Sequence, residues 1–91
     1  MAARAVITIL GADRVGIVAG ITAVLAEQNV NIEDIRQALM GDLFTMIALV
    51  DLEHARGGFA EVRQALEDRG RELGVQVLIQ REEIFQRMHR I

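Results

Sequence analysis

The chain has 91 residues and a formal net charge of −3, and 52% of its residues are hydrophobic. A chain this short fits a single domain over residues 1–91, and such a small domain buries only about 60–65% of the surface that its unfolded chain exposes. The sequence lacks serine, cysteine, lysine and tyrosine, so the usual nucleophiles and the Schiff-base amine are missing, which argues against covalent catalysis.

The first part of the chain predicts a strand, a helix and a second strand. The β-branched run at residues 5–10 predicts a central strand that is apolar on both faces. Residues 14–28 predict a helix with Asp13 at its N-cap, because apolar residues recur there at helical spacing. Residues 30–40 predict a second strand, and a slip in the alternation at residues 33–35 indicates a β-bulge or a bend.

The remaining chain predicts a hairpin, a second helix and a fourth strand. The turn at Gly41-Asp42 leads into a strand over residues 43–53. The second helix follows Gly57-Gly58 and stops at Gly74, and its apolar face consists of Phe59, Val62, Leu66 and Leu73. Residues 75–80 predict the last strand, and residues 82–90 a short C-terminal helix.

The order of these elements predicts the fold class. An order of β-α-β-β-α-β is typical of the α+β, ferredoxin-like arrangement, which has a four-stranded antiparallel sheet with two helices on one face. Right-handed crossovers then give the strand order 4-1-3-2, with the second and fourth strands at the edges. The short C-terminal helix is an addition to this pattern.

The loop between the first strand and the first helix is the most informative local feature. Gly11 and Gly16 have the spacing of a phosphate-binding P-loop, but Ile17 and Val18 stand where that loop needs lysine and a hydroxyl residue. The dinucleotide-binding glycine pattern is absent as well. A helix N-terminus remains, whose N–H groups suit a carboxylate, beside Asp13, whose charge suits an ammonium group. A plain helix cap at Asp13 is the alternative interpretation.

The motif around this loop resembles the ACT domain, a small regulatory amino-acid-binding module of ferredoxin-like fold. The resemblance rests on Asp-Arg-Val-Gly-Ile-Val-Ala at residues 13–19, Leu-Ala at residues 25–26 and Asn-Val-Asn-Ile at residues 29–32. Phe-Thr-Met at residues 44–46 and the apolar spacing of residues 84–91 are similar to short stand-alone members, which have no attached enzyme.

This resemblance implies a homodimer, or a higher assembly, that binds a small molecule between its copies. Two copies would join by their second strands into an eight-stranded sheet, with the first helices side by side. The N–H groups of residues 16–18 would hold the carboxylate of an amino acid, and a regulated enzyme or regulator protein would be the downstream partner. The implied ligand contacts are Asp13, Gly16, Ile17, Val18, Asn31 and Ile32.

Two other functions remain open. One is a dimerisation or scaffold module with an empty site. The other is an acylphosphatase-like hydrolase, in which Arg14 would hold a phosphate, although the longer loop motif of those enzymes is absent. No catalytic residue and no cofactor is predicted, and a metal site at Asp51, Glu53 and His54 matches no zinc pattern.

Composition also limits the partners and the location. The acidic balance and the scarcity of aromatic residues on the predicted central strands argue against binding to nucleic acid. No apolar stretch reaches the roughly 18 residues of a membrane-spanning helix, so no membrane association is predicted. The absence of cysteine fits a cytoplasmic protein.

Overall fold

Strands and helices follow the predicted order along the chain. The computed structural model describes residues 3–13 and 15–84. The elements are β1 (Arg4–Ala12), α1 (Ile17–Glu27), β2 (Asn31–Met40), β3 (Leu43–Asp51), α2 (Phe59–Leu73) and β4 (Val75–Arg81). Residues 82–84 are helical, which is the start of the predicted C-terminal helix, and the rest of that helix lies outside the described residues.

The four strands form one antiparallel sheet in the order β2-β3-β1-β4, which is the predicted order. β1 is central because it pairs with β3 on one side and β4 on the other. The register of β2 against β3 shifts between Ile32 and Asp34, which confirms the bulge predicted at residues 33–35. β2 and β4 therefore lie at the two edges of the sheet.

The start of α1 differs from the prediction. The helix begins at Ile17, and its N-cap is Gly16 in the left-handed region at φ 93°, with no side-chain capping hydrogen bond. Asp13 is therefore not the cap. The backbone N–H of Asp13 instead donates to the carbonyl of Asp42 at 2.8 Å, so this residue continues the β1 edge before the chain turns at Gly16.

The start and the end of α2 agree with the prediction. Gly58 is the N-cap, with extended backbone at φ −78°. Gly74 ends the helix in the left-handed region at φ 73°, a conformation that glycine adopts at little cost.

The core lies between one face of the sheet and the two helices. Its largest fully buried side chains are Ile7, Ile9, Ile17, Ile21, Leu25, Met46, Leu66, Val50 and Val62. A methyl group at Gly20 would lie 2.9 Å from Cδ1 of Leu73 on α2. The absence of a side chain at Gly20 therefore allows α1 to pack closely against α2.

On the opposite face of the sheet, here called the open face, Val6 is buried with 6% exposure, and Arg4 contacts Glu82 of the helical residues 82–84 at 4.0 Å. The exposed large apolar residues of this face alternate with the core residues along the strands, and they are Leu10, Met40, Leu43, Ile47 and Leu78. No helix in the described part of the chain is long and apolar enough to cross a membrane. The cytoplasmic location and the single domain over residues 1–91 stay predictions.

Candidate functional site

A cleft of about 440 Å³ lies where α1 begins, beside the end of the edge strand β2. The loop before α1 and the first turn of the helix form one wall, and the β2–β3 hairpin forms the other. The lining residues are Asp13, Gly16, Ile17, Val18, Ala19, Gln37, Ala38, Leu39 and Phe44. Four of the six predicted contacts, those at positions 13, 16, 17 and 18, are thus brought together within a single chain.

The N-terminus of α1 supplies the polar side of the cleft. The first helical hydrogen bond runs from the N–H of Gly20 to the carbonyl of Gly16, at 2.8 Å. The N–H groups of residues 17–19 belong to the turn that has no helical acceptor, and no side chain caps this end. The first turn also contains no acidic residue, so no carboxylate of that turn competes for its partial positive charge. Such an end can bind a carboxylate or another small anion.

The left-handed conformation of Gly16 shapes this polar side. A methyl group at Gly16 would find nothing within 4 Å, so the backbone there is open to an approaching group. Non-glycine residues rarely adopt a φ of this sign, which explains why glycine suits this position. Asp13 is exposed at the rim of the same cleft and adds a negative charge beside the helix N-terminus.

Apolar side chains make up most of the remaining lining. Ile17 and Phe44 are buried with 2% and 6% exposure, and they continue the core to the floor of the cleft. Leu39 is 59% exposed at the free edge of the sheet. A ligand here would therefore meet backbone N–H groups and one carboxylate at one end, and aliphatic and aromatic carbon at the other.

The hairpin residues of the cleft were not predicted from sequence. Leu39 pairs with Phe44, and Phe44 pairs with Gly11 of β1, so the hairpin register brings this end of β2 beside the loop. These pairings follow from the predicted turn at Gly41-Asp42 together with the predicted strand order. Extending the register outward from the turn would have identified Gln37 and Leu39 as neighbours of the loop.

The other two predicted contacts lie away from this cleft. Asn31 and Ile32 begin β2, and the strand separates Ile32 from Leu39 by roughly 23 Å. Ile32 pairs with the buried Val50 and faces the helices, whereas Asn31 pairs with Asp51 and faces the open side of the sheet. A single chain therefore does not bring Asn31 and Ile32 to the loop.

The structure describes the residues of the alternative metal site but not the arginine of the alternative phosphate site. Asp51 accepts a hydrogen bond from the backbone N–H of Glu53 at 2.9 Å, and His54 lies 4.0 Å from the Glu53 carboxylate. Over residues 3–13 and 15–84, no group of three or more histidine, cysteine, aspartate or glutamate residues could hold a metal ion. Arg14, the residue of the acylphosphatase alternative, lies outside the described residues.

Comparison with known proteins identifies close relatives over almost the whole chain. The family model described as "ACT domain" matches residues 3–80. A UPF0237 protein of Methanopyrus kandleri is 53% identical over 88 residues, which cover 97% of this chain and 98% of that protein. A UPF0237 protein of Methanocaldococcus jannaschii is 56% identical with the same coverage.

Solved structures agree with these sequence matches. An ACT domain protein from Streptococcus pneumoniae is 38% identical, with a TM-score of 0.81 over 94% of this chain and 97% of that one. The regulatory subunit of aspartate kinase from Thermus thermophilus is 26% identical, with a TM-score of 0.68 over 86% of this chain and 50% of that one.

Proposed function

Because the chain belongs to the ACT domain family, we propose that it is a non-catalytic sensor that binds a small amino acid as a homodimer. The observation that carries this proposal is the cleft itself. An uncapped helix N-terminus, one carboxylate and an apolar wall meet there, beside the free edge of β2. Ligand binding at the junction of two copies would stabilise the dimer and change the surface offered to an enzyme or regulator protein.

The sequence of β2 supports pairing of its free edge with a second copy. β2 has ten residues, and a long free edge exposes N–H and C=O groups that another strand can pair with. Asp34 and Arg36 flank Ile35 and face the open side of the sheet. An antiparallel pair centred on Ile35 places Asp34 of each copy opposite Arg36 of the other, and opposite charges in such pairs are favourable. The strand is therefore self-complementary in one register.

This register also completes the cleft. The bulge at Glu33 removes one residue from the pairing, so Ile32 of the second copy comes opposite Gln37, and both face the helices. Gln37 lines the cleft, so Ile32 of the second copy would close its outer side. Asn31 of the second copy would follow opposite Ala38, at the same end of the sheet. The two contacts that one chain leaves apart are supplied by its partner.

The chemistry of the completed cleft matches an amino acid. The N–H groups of the first turn of α1 would donate hydrogen bonds to the carboxylate, and the Asp13 carboxylate would accept hydrogen bonds from the ammonium group. Ile17, Val18 and Ile32 of the second copy would surround an apolar side chain. Asn31 would contact the ammonium group from the start of β2, and we expect this contact to be weaker because its side chain faces the open side of the sheet.

A thermal-shift screen against the common amino acids and small carboxylates tests this function at one fixed protein concentration. A ligand at a hundred times its dissociation constant stabilises the folded state by about 2.7 kcal/mol, which raises the unfolding midpoint by about 10–20 °C in a domain of this size. Asp13→Asn keeps the shape of the side chain but removes its charge, and it should abolish the shift. Asp42→Asn is the matched control, because Asp42 is exposed in the adjacent turn and does not line the cleft.

Two results would contradict the proposal. The first is the absence of a shift with every compound, which would favour a dimerisation module with an empty site. The second is a shift that Asp13→Asn leaves unchanged, which would place the ligand elsewhere. Asn31→Ala should weaken binding less than Asp13→Asn does.

A further inference from the structure

One polar side chain interrupts the apolar helix side of β2. Gln37 pairs with Met46, which is fully buried between the sheet and the helices, so the Gln37 side chain lies on the helix side as well. The other residues of β2 on that side are Ile32, Ile35 and Leu39. A strand that packs one face against helices normally places apolar residues there. Packing alone therefore does not account for glutamine at this position.

The carboxamide of Gln37 meets water in a single chain but carbon in the proposed dimer. Gln37 is exposed and has no hydrogen-bond partner among residues 3–13 and 15–84. It lines the hairpin wall of the cleft. In the proposed register Ile32 of the second copy comes opposite it. The carboxamide then lies between that isoleucine, Ile35 and Leu39, whose side chains have no hydrogen-bonding group.

A ligand in the cleft removes the water that solvates this carboxamide. An amide group that loses its water without gaining a hydrogen bond costs free energy, so a ligand that leaves Gln37 unpaired binds less tightly. Among the other described residues that line the cleft, only Asp13 carries a polar side-chain group. The proposed function assigns that carboxylate to the ammonium group of the ligand. The hydrogen bonds of Gln37 must then come from the ligand's own side chain.

The chemistry of a carboxamide indicates which ligand groups fit. It presents N–H donors and a C=O acceptor side by side. A hydroxyl or a second carboxamide matches both, because each of these groups can donate and accept. An ionised carboxylate only accepts and an ammonium group only donates, so either would satisfy half of the Gln37 carboxamide.

We propose that Gln37 determines the side-chain specificity of the sensor, and that the ligand is a small amino acid whose side chain carries a hydroxyl or a carboxamide. This inference rests on the dimer and the cleft of the proposed function. The apolar contacts given there surround the carbon atoms of the ligand's side chain. Gln37 binds the polar end of that side chain from the hairpin wall.

Isothermal titration calorimetry with pairs of amino acids that differ in one polar group tests the inference. The pairs are threonine and valine, asparagine and leucine, and serine and alanine. We expect the polar member of at least one pair to bind about tenfold more tightly than its apolar counterpart. Gln37→Met keeps the length of the side chain but removes its hydrogen-bonding groups, and it should abolish that preference.

Gln76→Met is the matched control, because it makes the same change at an exposed position of the other edge strand, outside the cleft. It should leave the preference intact. Equal affinities within every pair, lost in Asp13→Asn, overturn the inference and leave the proposed function standing. A preference that persists in Gln37→Met also overturns it. So does the absence of binding by all six amino acids, whereas the proposed function fails only if the whole thermal-shift screen gives no shift.

Discussion

Two glycines occupy the N-cap position of the two helices with different backbone conformations, which makes them a matched pair. Gly16 caps α1 at φ 93°, and Gly58 caps α2 at φ −78°. Replacing each with alanine makes the same chemical change at the same helical position. We expect Gly16→Ala to lower the free energy of unfolding by about 1–2 kcal/mol more than Gly58→Ala does.

The expected difference in the free energy of unfolding comes from the energy contributions in which the two variants differ. Alanine lowers the entropy of the unfolded chain by a similar amount in both, about 0.4–1 kcal/mol, and is a poorer N-cap than glycine in both. At Gly16 the added methyl group meets nothing within 4 Å, so the remaining term is the cost of a left-handed alanine, about 1–2 kcal/mol. At Gly58 the methyl group lies 3.0 Å from Oε2 of Glu61, the movable end of an exposed side chain.

Urea denaturation at one protein concentration measures this difference, because the stability of a dimer depends on concentration. Gly16→Asn should fall between the original protein and Gly16→Ala, since asparagine tolerates the left-handed region better than alanine does. Equal midpoints for Gly16→Ala and Gly58→Ala would refute the reasoning. They would mean that the loop before α1 is not held in the left-handed conformation.

Two further predictions concern the packing of α2. Leu66→Ala removes a fully buried side chain and should cost about 2–5 kcal/mol, measured by the same denaturation, and a cost below 1 kcal/mol would contradict its place in the core. Gly70→Ala puts a methyl group 2.5 Å from Cγ2 of Val77, so overpacking of about 1–3 kcal/mol outweighs the gain of about 1 kcal/mol in helix propensity. Val77→Ala should recover part of that loss in the double variant, and strictly additive effects would exclude the contact.

The fold was predictable from sequence because each element carries its own local signal. The apolar run at residues 5–10 became the central strand, and Gly74 ended α2 in the left-handed conformation as its position indicated. The slip at residues 33–35 became the bulge of β2. These features depend on residues close together in the chain, and hydrophobic periodicity and turn chemistry report such features directly.

The site was predictable only in part because it depends on contacts between distant segments. The loop residues at positions 13 and 16–18 were found from their own motif, but the helix start was placed three residues too early. Aspartate is a common N-cap, and a left-handed glycine cap leaves no comparable signal. Gln37 and Leu39 reach the cleft through the hairpin register, which periodicity alone does not give. The contacts at Asn31 and Ile32 stay predictions that need a second copy.

The pairing of two β2 strands is the central claim, and mixing two charge variants tests it most directly. Chains with Asp34→Arg carry two arginines beside Ile35, and chains with Arg36→Asp carry two aspartates. Either variant alone places like charges opposite each other in the proposed register, whereas a mixed dimer places opposite charges together at both pairs, each worth about 0.2–1 kcal/mol. Native mass spectrometry of an equimolar mixture should show heterodimers well above the half expected from random pairing. A random distribution of the two chains would contradict the pairing through β2.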